Sequence, residues 1–200
     1  MINRITIQAY QVGLVFGKGK LINVLEAGSY WIFGNKQVHI YEMKQSFVAP
    51  IELTILLQNE KLASLLEVIE IADNEIALYY VNGMFKEVLT TGRYAFWKGY
   101  LDNAFTKIDL SKVEITEVVP VALLENIKVR AYTRKYQVLN FEKGLLFVNG
   151  AFVKELAAGN YYFWNNAIPI EVKNVDIRQQ QMEIAGQELL TKDKATLRIN

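Results

Sequence analysis

A turn glycine followed nine residues later by a second glycine and an aromatic strand occurs three times in this chain, as GKGKLINVLEAGSYWIF, VNGMFKEVLTTGRYAFW and VNGAFVKELAAGNYYFW. The first glycines are Gly19, Gly83 and Gly150, and the second are Gly28, Gly92 and Gly159. Successive copies lie 64 and 67 residues apart. Matches at one inner spacing mark an internal repeat, so the fold is built from one small supersecondary unit used repeatedly. A module of about 65 residues buries only about 60% of its unfolded surface and is marginal alone, whereas a chain about three times longer buries about 70%. The modules are therefore expected to pack on each other or on a partner.

Each copy reads as a β-meander. In the third, the apolar run Leu145 to Val148 leads into Asn149-Gly150, a dipeptide that favours a type I′ hairpin because both residues tolerate positive φ. Ala151 to Leu156 returns, Gly159 turns the chain again, and Tyr161 to Trp164 forms the next strand. Asn82-Gly83 with Gly92, and Gly17-Lys18-Gly19 with Gly28, repeat the plan. A leading strand precedes each hairpin and carries Ile7, Ile71 or Val138 seven residues before Leu14, Leu78 or Leu145. The residue before those leucines is small in every copy, Gly13, Ala77 or Gly144. Something large, an aromatic ring or a neighbouring strand, is expected to cross there. Downstream, Asp109 and Asp176 each open a further strand 17 residues after the second glycine, and Glu42 takes that place three residues early.

Tyr30, Tyr94 and Tyr161 share one column, whereas Phe33, Trp97 and Trp164 lie on the opposite strand face. Helix is scarce. Asn59 caps a short segment with Leu62, Leu65 and Leu66 on one side, and Pro120 to Asn126 supplies about one turn at the equivalent place. The expected fold is mainly β: three tandem β-meander modules, 1–57, 58–119 and 120–200, with one or two short helices. At the end of the chain Glu188 to Leu190, Thr191 to Lys194 and Ala195 to Ile199 read as a hairpin. Its bare last strand is expected to continue into further sequence in the natural protein.

Composition excludes several classes of function. The 22 basic and 21 acidic residues nearly cancel, so the basic field that nucleic acid requires is missing. With no cysteine, disulfides and thiolate metal sites are out, and a reducing compartment fits. No apolar run reaches the length of about 18 residues that spans a bilayer as a helix. His39 is the only histidine, with Glu42 its only near carboxylate, which is too little for a metal site or an acid–base pair. GKGK lacks P-loop spacing and precedes a strand. Nothing assembles a nucleophile, a base and an oxyanion donor, so no enzyme, no metal and no cofactor are expected. One alternative stays open: exposed Tyr and Trp faces binding a carbohydrate or peptide.

The third copy and its continuation, GLLFVNGAFVKELAAGNYYFW with VKNVDIRQQQMEIAGQELLTKDKATLRIN, resemble the opening of a band-7 (SPFH) domain of the stomatin/slipin/prohibitin group. The resemblance covers roughly residues 137 to 200 and rests on the hairpin turns, on Asp176-Ile177-Arg178 and on Leu190-Thr191-Lys192-Asp193. Copies one and two look like degenerate versions of the same segment, an arrangement similar to bacterial slipin-like proteins. The resemblance implies a non-enzymatic scaffold that forms homo-oligomers, organises membrane patches and modulates a membrane protein or protease client. It implies a cytoplasmic location at the inner face of the membrane. The terminal strand from Ala195 and the small column at Gly13, Ala77 and Gly144 are the expected contact features between subunits.

Overall fold

A computed structural model describes residues 2–179 and the backbone of 187–190 and 196–199. The chain is mainly β. The first module holds β1 (Ile2–Ile7), β2 (Gln11–Gly17), β3 (Lys20–Leu25), β4 (Gly28–Phe33) and β5 (Gln37–Glu42). Two short helices come next, α1 (Leu53–Leu56) and α2 (Glu60–Leu65). The second module is β6 (Leu66–Ile71), β7 (Glu75–Val81), β8 (Met84–Leu89), β9 (Gly92–Trp97) and β10 (Asn103–Asp109). Then come α3 (Val121–Leu124) and α4 (Ile127–Arg130). The third is β11 (Thr133–Val138), β12 (Glu142–Val148), β13 (Ala151–Leu156), β14 (Gly159–Trp164) and β15 (Ile170–Asp176), after which β16 (Gln187–Leu190) pairs with β17 (Thr196–Ile199).

Every module has one topology. The first strand pairs with the fourth, and the second lies between the third and the fifth, giving β1-β4 with β3-β2-β5, β6-β9 with β8-β7-β10, and β11-β14 with β13-β12-β15. Register repeats as well. Gly13 faces Leu25, Ala77 faces Leu89, and Gly144 faces Leu156. A bulge occurs at the same step, between Val15 and Phe16, Tyr79 and Tyr80, or Leu146 and Phe147. Glu42, Asp109 and Asp176 sit opposite Gln11, Glu75 and Glu142, so the short loop of the first copy is absorbed before the strand and leaves pairing unchanged. The hairpin tips hold positive φ at both central residues, 53° and 75° at Lys18-Gly19, 51° and 76° at Asn82-Gly83, and 51° and 77° at Asn149-Gly150. This is the I′ geometry that matches strand twist.

The small column is explained by the leading strand. A Cβ on Gly144 would lie 2.7 Å from Val138 Cγ2 and 3.2 Å from both Leu156 Cβ and Val172 Cγ1. On Gly13 it would meet Ile7 Cδ1 at 2.9 Å. What crosses there is therefore the aliphatic side chain of the leading strand, neither a ring nor a strand backbone. The expectation that this column contacts other subunits is corrected, because it is buried inside its own module. Gly144→Ala is expected to cost about 1–3 kcal/mol, since stiff, β-branched Val138 cannot yield. Gly13→Ala should be near neutral, since only the tip of Ile7 intrudes and Ala77 is accommodated beside Ile71 in the second module. Thermal melts of the two variants test the contrast.

The described chain divides into two compact units, Met1–Arg134 with Tyr162–Asn166, and Lys135–Tyr161 with Ala167–Asn200. In the first unit β2 and β7 are buried on both faces. One face covers the module's own first and fourth strands, as in the clusters of Ile7, Val15 and Leu25 and of Ile71, Ala77, Tyr79 and Phe96. The other face is covered by elements later in the chain. Val12, Leu14, Phe16 and Val24 pack with Leu56, Leu62, Leu66, Ala95 and Trp97. Ile76, Leu78 and Ile108 pack with Leu124, Val129 and Trp164. One junction design is thus used twice: a three-stranded face, a pair of short helices, and the outward residues of a fourth strand. In the second unit β12 buries Gly144 and Leu146 and leaves Lys143 exposed on the opposite face, with Leu145 and Phe147 half-buried beside it.

Helix pairs occupy both junctions, four short helices in all among the described residues. Asn59 accepts a hydrogen bond from the Leu62 amide at 3.1 Å and Asn126 one from the Lys128 amide at 2.9 Å. These caps satisfy N–H groups that a helix this short leaves without an internal acceptor.

Candidate interaction faces

The tyrosine column serves the turns. The Tyr94 hydroxyl donates to the Thr90 carbonyl at 3.1 Å, and the Tyr161 hydroxyl donates to the Ala157 carbonyl at 2.9 Å. Each ring lies over the glycine two residues earlier, where a Cβ would come within 3.5 Å of the Tyr94 ring and 3.3 Å of the Tyr30 ring. Gly28 and Gly92 have φ of 152° and 150°, so a side chain at either position would be strained, and at Gly28 it would also crowd the Tyr30 ring. The three tyrosines are half-buried.

Asp109 and Asp176 end β10 and β15 and do not open new strands, which corrects that expectation, so the Asp-x-Arg motif closes a strand end. Arg178 donates from its amide and from Nε to Asp176 Oδ1 at 2.9 and 3.0 Å, and its guanidinium lies 4.2 Å from the Phe141 ring centroid. The other modules use the same offset. Ser111 donates to Asp109 from its hydroxyl at 2.6 Å and its amide at 2.9 Å, and Lys44 pairs with Glu42 at 2.9 Å. The Arg178 side chain and amide hold the Asp176 carboxyl below the usual carboxylate range, as the Ser111 hydroxyl and amide do for Asp109. A folded value below the unfolded one, about 3.9, means that the carboxylate stabilises at higher pH and loses that effect as pH falls through the folded value. In carboxyl NMR titrations, Arg178→Ala should move Asp176 up toward its ordinary value and leave Asp109 in place. Leu190 ends β16, with its backbone paired to Thr196, whereas Thr191, Asp193 and Ala195 lie outside the described residues.

His39 is exposed on β5, its ring edge-on to Phe16 at 5.4 Å. It borders an open cleft of about 400 Å³ with Lys18, Gln37, Pro50 and Ile51, and no carboxylate lines it. Among the described residues no group of three or more His, Cys, Asp or Glu side chains is placed to hold a metal ion. No helix there is long and apolar enough to cross a membrane.

Two apolar faces stand out instead. Trp97 and Trp164 are 1% and 0% exposed, but their counterpart Phe33 is 58% exposed and Trp31 60%. Ile2 faces Phe33 and Arg4 faces Trp31 across the β1–β4 pair, with the Arg4 guanidinium 5.9 Å from the Trp31 ring centroid. The same positions on β6–β9 are Leu66 with Trp97 and Val68 with Ala95, which are packed in a junction. The second face lies on β13-β12-β15, where Phe152 and Val175 are 55% and 48% exposed. A Lys143–Glu155 ion pair of 2.7 Å sits there, and Lys173 Nζ lies 5.0 Å from the Phe147 ring centroid.

The repeat showed the Phe33/Trp97/Trp164 column, but not which copy is covered. No protein-family model matches the chain, and no curated protein or solved structure matches it.

Proposed function

We propose that the chain is the β-rich part of a non-enzymatic scaffold, slipin- or stomatin-like, that organises membrane-associated assemblies and modulates partner proteins. The observation that carries this reading is the junction used twice, in which sheet faces are built to be covered by other β modules, while the β1–β4 face with Trp31 and Phe33 is left uncovered. The Asp176/Arg178 turn and the hairpin before it carry the band-7 resemblance, and from that resemblance come the cytoplasmic, inner-membrane-face location and the homo-oligomer. Fractionation of cells expressing the natural protein, with light scattering on the solubilised material, is the test. Large assemblies that travel with membranes are expected. A single-chain species in the soluble fraction would overturn the reading.

A second reading, a module that binds carbohydrate or peptide, is favoured by one observation. Trp31, with the Arg4 guanidinium 5.9 Å from its ring centroid, is an exposed indole. Trp97 and Trp164 are buried and supply no platform, so ligand-dependent quenching in this reading comes from Trp31 alone and disappears in Trp31→Phe.

A further inference from the structure

We propose that the β1–β4 face of one copy docks on the outer β13-β12-β15 face of a second copy, joining chains head to tail. The proposal rests on the scaffold reading and names the surface through which that scaffold associates.

In each of the two internal junctions, residues on a fourth strand cover a three-stranded face whose register is the same as that of the third module. Register equates Leu14 and Leu78 with Leu145, Phe16 and Tyr80 with Phe147, and Tyr41 and Ile108 with Val175. The third module thus keeps the apolar centre of a junction acceptor. The first module keeps the donor, with Phe33 in the place of Trp97 and Ile2 in the place of Leu66. Among the described residues both halves are exposed, Phe33 and Ile2 on the one and Phe152 and Val175 on the other.

Charge is compatible with the pairing, because the acceptor face balances Glu155 and Glu171 against Lys143 and Lys173 in ion pairs. In the first junction Val24 and Val68 belong to one apolar cluster. At the exposed faces both are replaced by charges of opposite sign: Arg4 stands in the place of Val68, and Glu155 in the place of Val24. A face-to-face pairing of two β1–β4 surfaces would set Arg4 near its own copy, whereas the head-to-tail pairing sets it near Glu155. Because the faces differ, the contact is heterologous and does not close at two chains. The junction helices, which bury Leu56 and Leu62 in the internal case, have no described counterpart here, so the association is weaker than the internal packing and depends on concentration.

The absence of cysteine makes the test direct. In the first junction the Trp97 and Tyr41 ring centroids are 6.1 Å apart, so Phe33 and Val175 are the corresponding pair between copies. Both are exposed, and replacing them should leave melting unchanged. Packed sheet faces lie about 10 Å apart, beyond the reach of a direct disulfide, so the full chain carrying Phe33→Cys is mixed with the full chain carrying Val175→Cys and treated with a short bismaleimide. Cross-links between the two variants, and few within either variant alone, are expected. In light scattering, the unmodified chain should rise from 22.9 kDa past the mass of two chains as concentration increases. Trp31→Asp should abolish that rise, and Arg4→Glu should weaken it in a way that Glu155→Arg restores. Cross-linking of Phe33→Cys to itself would overturn the proposal in favour of a two-fold pair. Growth in mass without the mixed cross-link would overturn this interface and leave the scaffold reading standing. A single-chain mass at every concentration would remove both the interface and self-association by this chain.

Discussion

Trp97→Ala is expected to destabilise the protein by about 3–5 kcal/mol, the range for truncating a buried aromatic. Phe33→Ala, at the matching position of the first module, should change stability by less than about 0.5 kcal/mol, as surface substitutions do. The contrast comes from packing. Trp97 is 1% exposed and lies among Tyr41 and Phe47, with ring centroids 6.1 and 5.1 Å away. Nothing fills the hole when it is cut back, because its neighbours are held by strands on one side and by α1 and α2 on the other. Phe33 is 58% exposed and leaves no hole.

A finer comparison separates volume from hydrogen bonding. The Trp164 indole donates to Glu117 Oε2 at 3.2 Å, whereas the Trp97 indole N–H finds no acceptor among the described residues. An unsatisfied buried donor costs about 1–3 kcal/mol. Trp97→Phe removes that donor along with ring volume, so its two effects oppose each other. Trp164→Phe removes volume together with the hydrogen bond to Glu117, a half-buried carboxylate that keeps the Thr116 amide as a donor, so its two effects add. Trp164→Phe should therefore be the more damaging, as read from the midpoints of denaturant titrations. Equal losses would show that the two indoles share one environment after all.

The repeat made the local architecture legible because each turn has its own chemical requirement. Asn82-Gly83 and Asn149-Gly150 demand a turn with positive φ twice over, and the strands on either side then have one available register. The acidic column also came from counting, since a shortened loop shifts Glu42 by three residues without altering what it faces. Burial was less legible. Spacing showed that Tyr94 and Trp97 lie on opposite faces, but period two does not say what covers either face. The small column invited a wrong reading for a related reason. Gly13 and Gly144 mark close approach, and sequence does not tell whether the approaching group comes from the same module or another. The candidate faces were the hardest to see, because Phe33 differs from Trp97 in its surroundings far more than in its chemistry. The ion pair Lys143–Glu155 could have pointed to the other face, since both residues replace aliphatics of the earlier copies.

Leu62→Ala is expected to cost about 2–5 kcal/mol, and its coupling to Trp97 is the sharper test of the junction. Leu62 is fully buried on a helix of six residues whose amide end is held by Asn59. A helix that short has almost no stability of its own, so it persists because Leu56 and Leu62 fill the space between the first module's sheet and Trp97. Removing either side loosens the same space. Leu62→Ala combined with Trp97→Ala should therefore depart from additivity by about 0.5–3 kcal/mol, as contacting residues do. Val129 occupies the equivalent place in the next junction, in a cluster that shares no buried member with the first. Leu62→Ala with Val129→Ala should add to within about 0.5 kcal/mol. A double-mutant cycle in denaturant measures both. Strong coupling between Leu62 and Val129 would mean that the two junctions act as one core, and the picture of a module joined by a repeated, self-contained contact would fail.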